Sequence, residues 1–389
     1  MSQTMKEPMW LSQRLLDDIV FDILTWVPVK SLIRFRCVSK SWYSSIANPI
    51  FITAHFNQAK SLSNNNHNGY LLYGSESSLC TAMFNSDRTL TQNSSFEIPF
   101  NDMNVIIVGY CNGLFCIRNN CDFYLWNPSI KKLKSISITR FSMPLPRYTL
   151  GLAYHSQNND FKVLRITRYR TVHSPVAEVY TLSTDSWRRV EIPIELLNET
   201  RSNGCFSYII SSPCVFFHGA LHYIVESIVE TSDVKFILAF DVNDEIFREI
   251  MLPQNLLDGV DSFDHLTVFK GSLALFACGQ ALDEWEEKYQ ISVIWVMREY
   301  GVVESWTKIS GPMIWVERFI GRFCGFTNNG ELLIETVDDL LMSFDPESLY
   351  KNDFGIPNIL CEDWVSDSTW IDYTSNFVES LLLLDGTNV

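Results

Sequence analysis

The chain has 389 residues, is 47% hydrophobic and carries a formal net charge of -15, from 30 Lys and Arg against 45 Asp and Glu. This length is enough for two or three domains and a large core, and the acidic balance argues against a protein that tracks nucleic-acid phosphates. The opening residues MSQTMKEPMW lack the apolar core of a signal peptide. No apolar run approaches the roughly 18 residues that span a bilayer. We therefore expect a cytoplasmic or nuclear protein with neither a nucleic-acid nor a membrane partner.

Charge divides the chain into two parts. Residues 11–60 contain six Lys and Arg against three Asp and Glu, whereas residues 61–389 contain 23 against 41. A small, mildly basic head therefore precedes a large, acidic body. Such a charged body favours basic partners, although its charge also keeps a protein soluble.

The head, residues 11–56, is predicted to form three short helices. Pro28 ends the first, because proline disfavours a helical conformation in the residue before it. Two apolar series recur at helical spacing on either side of Pro28: Leu15, Ile19, Ile23, Leu24 and Val27, then Leu32, Phe35, Val38, Trp42 and Ile46. About 40 residues rarely support a stable core alone, and this head has more large apolar residues than three short helices can hide. The remainder is expected to meet a partner.

The head segment LLDDIVFDILTWVPVKSLIRFRCVSKSW closely resembles the F-box of plant F-box proteins. The resemblance implies a three-helix unit that docks on the Skp adaptor of a cullin-RING ubiquitin ligase. Leu16 stands where the family usually has proline, which removes a pre-set start of the first helix. Carried over position by position, the adaptor-facing residues are Leu15, Ile19, Leu24, Pro28, Leu32, Val38 and Trp42.

Residues 57–69 are predicted to form a linker, with a long loop at the rim of the body as the alternative. Ser61–Asn68 reads SLSNNNHN, a polar run that cannot pack a core. The helical tail before it places Phe51, His55 and Phe56 on one side, and we expect that tail to lean on the body and fix its angle to the head.

The body, residues 70–385, is predicted to be mostly β, because short apolar runs alternate with Gly, Asn, Asp and Pro. Four segments share a strand, a polar turn and a large apolar residue, namely Leu133, Trp187, Phe247 and Trp306. Elements such as NGLFCI, HGALHYIV, KGSLALFA and NGELLIE precede some of these segments. This order is typical of a kelch-like β-propeller of about six blades, with the large residues packed between blades. A pair of β-sandwiches is the alternative.

The body also resembles the type 1 F-box-associated domain of the same plant proteins. The matching motifs are GYCNGLFCI, LWNPSIKKL, STDSWR, IWVMREYGVVESW and FVESLLLL. In that family this domain is the presumed substrate receptor. STDSW and IWVMREYGVVESW are similar in particular to the pollen S-locus F-box group, whose targets are basic secreted ribonucleases.

Catalytic motifs are not found in the sequence, which contains no P-loop, G-x-G-x-x-G, G-x-S-x-G or H-E-x-x-H. We therefore predict no enzyme activity, catalytic residue, cofactor or metal. His218 and His222 flank a predicted hairpin and are interpreted as structural. Cys111, Cys116 and Cys121 lack zinc spacing and are interpreted as buried thiols. The acidic cluster Asp283, Glu284, Glu286 and Glu287 is either a solvated loop or a contact for a basic substrate.

The sequence thus predicts an α+β multidomain protein that serves as the substrate-recognition subunit of a Skp–cullin–F-box ubiquitin ligase. Three alternatives remain at this point. The first, which the resemblance implies, is an S-locus pollen determinant that recognises basic ribonucleases in self-incompatibility. The second is a propeller lectin or enzyme with a site at its central channel, which would leave the head unexplained. The third is a protein that binds the adaptor but never engages a cullin.

Overall fold

The structure is a computed structural model, and it describes residues 17–65, 70–75, 78–84, 89–100, 105–120, 122–137, 147–168, 175–193, 208–209, 214–229, 232–253, 262–282, 288–309, 313–315, 319–327, 329–338, 340–354, 371–374 and 378–384.

The head consists of four helices rather than three. They are α1 Asp17–Thr25, α2 Val29–Phe35, α3 Lys40–Ala47 and α4 Pro49–Asn65. Pro28 separates α1 from α2 as predicted, and the Ser39 hydroxyl caps α3 by accepting a hydrogen bond from the Trp42 backbone N–H at 3.1 Å. Pro49 occupies the first position of α4, where its missing N–H costs no helical hydrogen bond.

Helix α4 continues through residues 57–65, most of the segment that the sequence assigns to a linker. A polar run cannot pack a core, but a helix satisfies its own backbone hydrogen bonds and needs no core along an exposed end. Ser61 and Leu62 on this part of α4 are exposed. Residues 66–69 of the predicted linker lie outside the described residues.

The described part of the body forms six antiparallel sheets, which are the blades of a propeller. In chain order the strands are β1 Tyr70–Ser75, β2 Ser78–Phe84 and β3 Leu90–Glu97 in blade 1; β4 Val105–Cys111, β5 Leu114–Asn119, β6 Asp122–Asn127 and β7 Lys132–Ile136 in blade 2; β8 Arg147–His155, β9 Asp160–Arg168, β10 Val176–Thr181 and β11 Ser186–Val190 in blade 3; β12 Tyr208–Ile209, β13 Val215–Phe217, β14 Ala220–Val229, β15 Ser232–Asp241 and β16 Phe247–Met251 in blade 4; β17 Ser262–Phe269, β18 Ser272–Leu282, β19 Lys288–Met297, β20 Trp306–Lys308 and β21 Met313–Trp315 in blade 5; β22 Ile320–Phe326, β23 Leu332–Thr336, β24 Leu341–Phe344 and β25 Lys351–Asp353 in blade 6; and β26 Ile371–Thr374, which returns to blade 1.

The blades are arranged around a ring, which confirms the propeller and excludes the sandwich pair. Innermost strands of successive blades contact one another: β4 with β8, β8 with β13, β13 with β17, β17 with β22, and β22 with β26. Strand β26 pairs antiparallel with β1, with Tyr70 opposite Thr374, so a late part of the chain completes the first blade. In blade 4 the innermost strand is divided into β12 and β13, which pair one after the other with different parts of β14.

The four large repeat residues lie at equivalent positions, in the first or second place of an outer strand. The Trp187 indole N–H donates to the Ser137 carbonyl at 2.8 Å, and the Trp306 indole N–H donates to the Met251 carbonyl at 3.1 Å. Each bond joins one blade to the blade before it. Three of the four residues therefore pack as predicted, since Phe247 is also buried, whereas Leu133 is exposed.

Turns at one end of the ring form what we call the head-side face. Because strands alternate in direction, the turns between first and second strands and between third and fourth strands of a blade lie at the same end. Contacts between neighbouring blades, and with the head, place these turns together: Thr53 with Asn159, Lys162 with Val242, His222 with Tyr300, and Lys270 with Glu347.

The glycines of the repeated Gly-strand elements lie in three of these turns. In residues 112–113, 218–219 and 270–271, both central residues have positive φ, as in a two-residue type I′ hairpin turn. Glycine adopts such a φ without steric cost, which explains the Asn-Gly, His-Gly and Lys-Gly pairs. Among the described helices, none combines the length and apolar character needed to cross a bilayer.

Candidate functional site: the exposed face of the head and its seat on the propeller

Helix α1 carries an exposed apolar face in addition to its buried one. Ile19 and Ile23 are four residues apart on one side of the helix, and Trp26, in the turn directly after it, continues their spacing. All three are exposed, Trp26 to 62%. Val38, in the turn between α2 and α3, is 64% exposed, and Tyr43 on α3 is also exposed. Large apolar side chains this accessible on so small a unit are typical of a protein-docking surface.

The residues predicted to face the adaptor fall into three groups. Ile19, Pro28 and Val38 are exposed, and Trp42 is half-buried with its ring 5.3 Å from that of Phe35. Leu15 lies outside the described residues. Leu24 and Leu32 are 2% and 0% exposed, so neither has surface left to offer a partner.

Leu24 and Leu32 are buried within the chain rather than exposed, as their sequence-based assignment to the adaptor requires. They belong to one buried cluster that includes residues of both parts: Leu24, Val29, Leu32, Ile46, Phe51 and Ile52 from the head, and Leu114, Cys116, Leu125, Leu150, Phe161 and Leu381–Leu384 from the body. Helix α2 also contacts the short 3-10 helix Pro128–Ile130 of blade 2.

Helix α4 contacts the other helices of the head and also the body. The Phe51 ring meets that of Phe21 edge-on at 5.2 Å, and the Thr53 hydroxyl accepts a hydrogen bond from the Asn159 side chain at 3.0 Å. His55 Nε2 donates to the Val27 carbonyl at 2.9 Å. Burial lowers the pKa of His55, partly opposed by that bond. The predicted contact of this helix with the body is confirmed.

The seat of the head is completed by a segment near the end of the described chain, Val378–Leu384, which we call the strap. Asn127 is fully buried, and its side-chain N–H groups are directed at the Ser380 carbonyl at 2.9 Å, the Ser380 hydroxyl at 3.0 Å and the Leu382 carbonyl at 2.8 Å. The Tyr110 hydroxyl accepts from the Val378 N–H at 3.0 Å and from the Gly113 N–H at 3.1 Å. The strap is thereby fixed to blade 2.

Gly113 is required at this point for two reasons. Its φ is +87°, a conformation that side-chain-bearing residues rarely adopt. A Cβ atom here would also overlap the Ser380 side chain. The motifs GYCNGLFCI, LWNPSIKKL and FVESLLLL, distant in sequence, thus meet at one place, where they bind one another and support the head.

Two families of known proteins match the chain. The F-box domain matches residues 13–53, and the F-box associated beta propeller domain matches residues 70–382, well over half of the chain. The protein belongs to the F-box-associated propeller family. Its relatives include three Arabidopsis thaliana proteins: F-box protein At3g07870, 26% identical over 394 residues and covering 88% of each chain; F-box/kelch-repeat protein At3g23880, 26% identical over 323 residues, with 79% of this chain and 82% of the relative; and F-box protein CPR1, 26% identical over 312 residues, with 75% and 71%.

The F-box match ends within α4, so the head described above is an F-box packed on its own propeller. An F-box implies binding to a Skp1-type adaptor, and the exposed face of α1 is part of the apolar surface that the F-box leaves uncovered. Trp26 and Tyr43 were not among the residues that the sequence assigned to this surface. Trp26 continues the Ile19–Ile23 spacing past the end of α1, and that spacing could have identified it.

The acidic cluster Asp283, Glu284, Glu286 and Glu287 lies outside the described residues and stays a prediction. Strand β18 ends at Leu282 and β19 begins at Lys288. This connection joins the second and third strands of blade 5, so its two ends lie at the face of the propeller opposite the F-box.

An open polar groove of about 600 Å³ lies between blades 3 and 4 on the head-side face. Lys162 Nζ is 2.7 Å from Glu245 Oε1, and Arg188 pairs with the other oxygen of the same carboxylate. Burial and the Arg188 charge lower the pKa of Lys162. The central charges of the groove therefore satisfy one another, and within the described part of the chain no group of three His, Cys, Asp or Glu could hold a metal ion.

His222 is structural by its hydrogen bonds. Nδ1 donates to the Val215 carbonyl at 3.1 Å, because a carbonyl only accepts, and neutral Nε2 therefore accepts from the Tyr300 hydroxyl at 2.7 Å. Burial lowers the pKa of His222 to about 4. Both ring nitrogens are engaged, which leaves neither for a metal.

Cys111 and Cys116 are buried free thiols, and burial raises the pKa of each to about 12. Cys121 lies outside the described residues.

Proposed function

We propose that this protein is the substrate-recognition subunit of a Skp–cullin–F-box ubiquitin ligase, without catalytic groups of its own. The observation that carries the proposal is an F-box with two apolar faces, one packed on the propeller and the other exposed. The exposed face of α1, with Val38 and Tyr43, binds the Skp-type adaptor. The propeller binds the protein to be ubiquitinated, and the charge of the body favours a basic substrate.

Tethering is the mechanism that this arrangement supports. A substrate on the propeller is held near the ubiquitin-charged enzyme that the cullin carries, so transfer gains from a high effective concentration. The shared core and the strap keep the F-box at a fixed angle to the propeller. The position of the substrate relative to the adaptor is therefore set by this chain rather than by a mobile linker.

Adaptor binding is tested by the double substitution Ile23→Asp with Trp26→Asp. Both side chains are exposed, so the fold should persist, whereas a carboxylate buried in an apolar interface costs several kcal/mol. We expect affinity for the adaptor to fall at least about 100-fold, which corresponds to roughly 3 kcal/mol. Titration with purified adaptor measures this affinity, and circular dichroism checks the fold.

Leu62→Asp is the matched control, because Leu62 is an exposed apolar residue on α4 beyond the matched F-box. Its affinity for the adaptor should be unchanged. Equal affinity of the double variant and the control would place the adaptor on another surface. Recovery of a cullin together with the adaptor separates a ligase subunit from a protein that binds the adaptor alone.

A further inference from the structure

Exposed apolar side chains on the body concentrate in three turns of the head-side face. Nine large hydrophobic residues of the described body are exposed, and five of them lie in the turns between third and fourth strands of blades 4, 5 and 6. These five form what we call the turn arc: Ile246, Tyr300, Val302, Leu349 and Tyr350. The F-box sits over blades 2 and 3 of the same face, so the turn arc extends over the part of that face that the F-box leaves open.

The three turns are held rigid by their own polar groups. Asp241 Oδ1 accepts from the Asn243 N–H at 2.9 Å and the Asp244 N–H at 3.0 Å. In blade 5 the Ser305 hydroxyl bonds backbone groups of Glu299 and Val302 across the turn. Asp345 carboxylate oxygens accept from the backbone N–H groups of Glu347 and Ser348 and from the Ser348 hydroxyl in blade 6. Apolar side chains presented on ordered turns lose little conformational entropy when a partner binds.

Leu349 and Tyr300 are held in place within the turn arc while part of each side chain faces solvent. Leu349 has a φ of +60° and is 65% exposed, an uncommon conformation for a bulky residue that contributes little to the core. Tyr300 is tied to His222 through its hydroxyl and stacks on the His218 ring at 5.1 Å, which leaves part of its own ring accessible. Both residues are therefore fixed with apolar surface directed at solvent.

The turns are also acidic. Residues 242–246, 298–305 and 345–350 contain six Asp and Glu against one basic residue, Arg298. Glu245 is engaged by Lys162 and Arg188, and Lys270 lies 3.6 Å from Glu347. Asp244, Glu299 and Glu304 remain exposed beside the apolar side chains. A partner that complements this surface carries Lys or Arg next to apolar residues.

We infer that the turn arc is the docking surface for the substrate, and that it takes a basic, partly apolar segment of a protein. This inference rests on the proposed function and names the substrate class and the surface that holds it. It also places the substrate on the same face as the F-box, on the three blades beside it.

The test uses the full chain in complex with the adaptor and three labelled 15-residue synthetic peptides, followed by fluorescence anisotropy. One peptide combines Lys and Arg with Leu and Phe, the second replaces the basic residues by Glu and Asp, and the third replaces the apolar residues by Ser. We expect the first to bind at least tenfold more tightly than either of the others. The double variant Ile246→Ser with Leu349→Asn should weaken that binding at least tenfold, and Asn suits the positive φ of position 349.

Val337→Ser with Ile314→Ser is the matched control. Both residues are exposed, and Val337, in the turn between the second and third strands of blade 6, lies at the opposite end of the ring. Equal losses in the two variants, or equal binding of the acidic peptide, would overturn the inference. So would a dimer, measured by light scattering, that dissociates only in the turn-arc variant, because a second copy would then occupy the surface. Failure of this adaptor complex to bind added cullin, with peptide binding retained, would contradict the proposed function alone.

Discussion

Asn127 donates hydrogen bonds from a fully buried amide to three acceptors of the strap. Asn127→Ala would leave those acceptors buried without their donor, and each such group costs about 1–3 kcal/mol. We expect the free energy of unfolding to fall by about 3 kcal/mol, measured by chemical denaturation. Asn57→Ala, at an exposed position of α4, should change it by less than about 0.5 kcal/mol. Similar losses in the two variants would mean that the leucines of the strap hold it without Asn127.

His222 makes stability depend on pH. Unfolded histidine binds a proton below about pH 6.5, whereas folded His222, with a pKa of about 4, resists protonation. Its contribution is therefore complete above pH 6.5 and is lost as pH falls toward 4. Between pH 7.5 and 5.0 we expect about 2 kcal/mol of destabilisation from this residue.

His222→Gln removes the titrating group, so the loss of stability between pH 7.5 and 5.0 should be smaller in this variant by that amount. Denaturation curves at the two pH values measure the difference. His218→Gln, at the exposed neighbour, is the control. A variant with the same pH dependence as the unaltered protein would assign the effect to other histidines.

At the scale of elements, α1 shows what periodicity can and cannot predict. Its apolar residues lie on two faces, whereas the sequence analysis placed Leu15, Ile19, Ile23, Leu24 and Val27 in one series. Val20, Leu24 and Val27 pack in the core shared with the body, whereas Ile19, Ile23 and Trp26 face solvent. Helical spacing identifies residues that share a face but not which apolar face meets the chain itself. The resemblance assigned Leu24 and Leu32 to the adaptor, although both are buried within the chain.

The strands were more predictable than the head, because each blade repeats one plan. Trp187 and Trp306 were recognised from their spacing, and both bond the preceding blade. The role of Asn127 could not be read from sequence. Its acceptors on Ser380 and Leu382 are distant in the chain, and a lone Asn before Pro128 equally fits a simple turn. The turn arc could not be predicted for a similar reason, since its turns belong to three blades and only the folded ring brings them to one face.

At the scale of the molecule, the F-box and propeller share one buried cluster and should unfold together. A fragment of residues 1–69 loses the body side of that cluster, and a unit this small rarely folds alone. We expect it to be largely unfolded and to gain helix when the adaptor is added. Residues 70–389 should remain β-rich but melt at a lower temperature than the full chain, because leucines of blade 2 and of the strap become exposed to water without the head.

Circular dichroism of the two fragments and of the full chain measures helix content and melting temperature. The full chain, measured in parallel, gives the melting temperature of the protein with the shared cluster intact. A helical fragment 1–69 that melts cooperatively without adaptor would contradict this prediction, as would a body fragment that melts at the temperature of the full chain.

Pairing of β26 with β1 links the orientation of the F-box to the order in which the chain is made. Tyr70 is synthesised long before Thr374, its partner across the closing strands, and the strap follows later still. Until then blade 1 has an unpaired edge, which is a template for aggregation, and such non-local pairing is slow to form. A nascent or wrongly closed ring therefore lacks the seat for its F-box. Under the proposed function, only a finished propeller presents substrate at a defined angle to the adaptor, and an incomplete chain would hold a bound substrate in the wrong position for ubiquitin transfer.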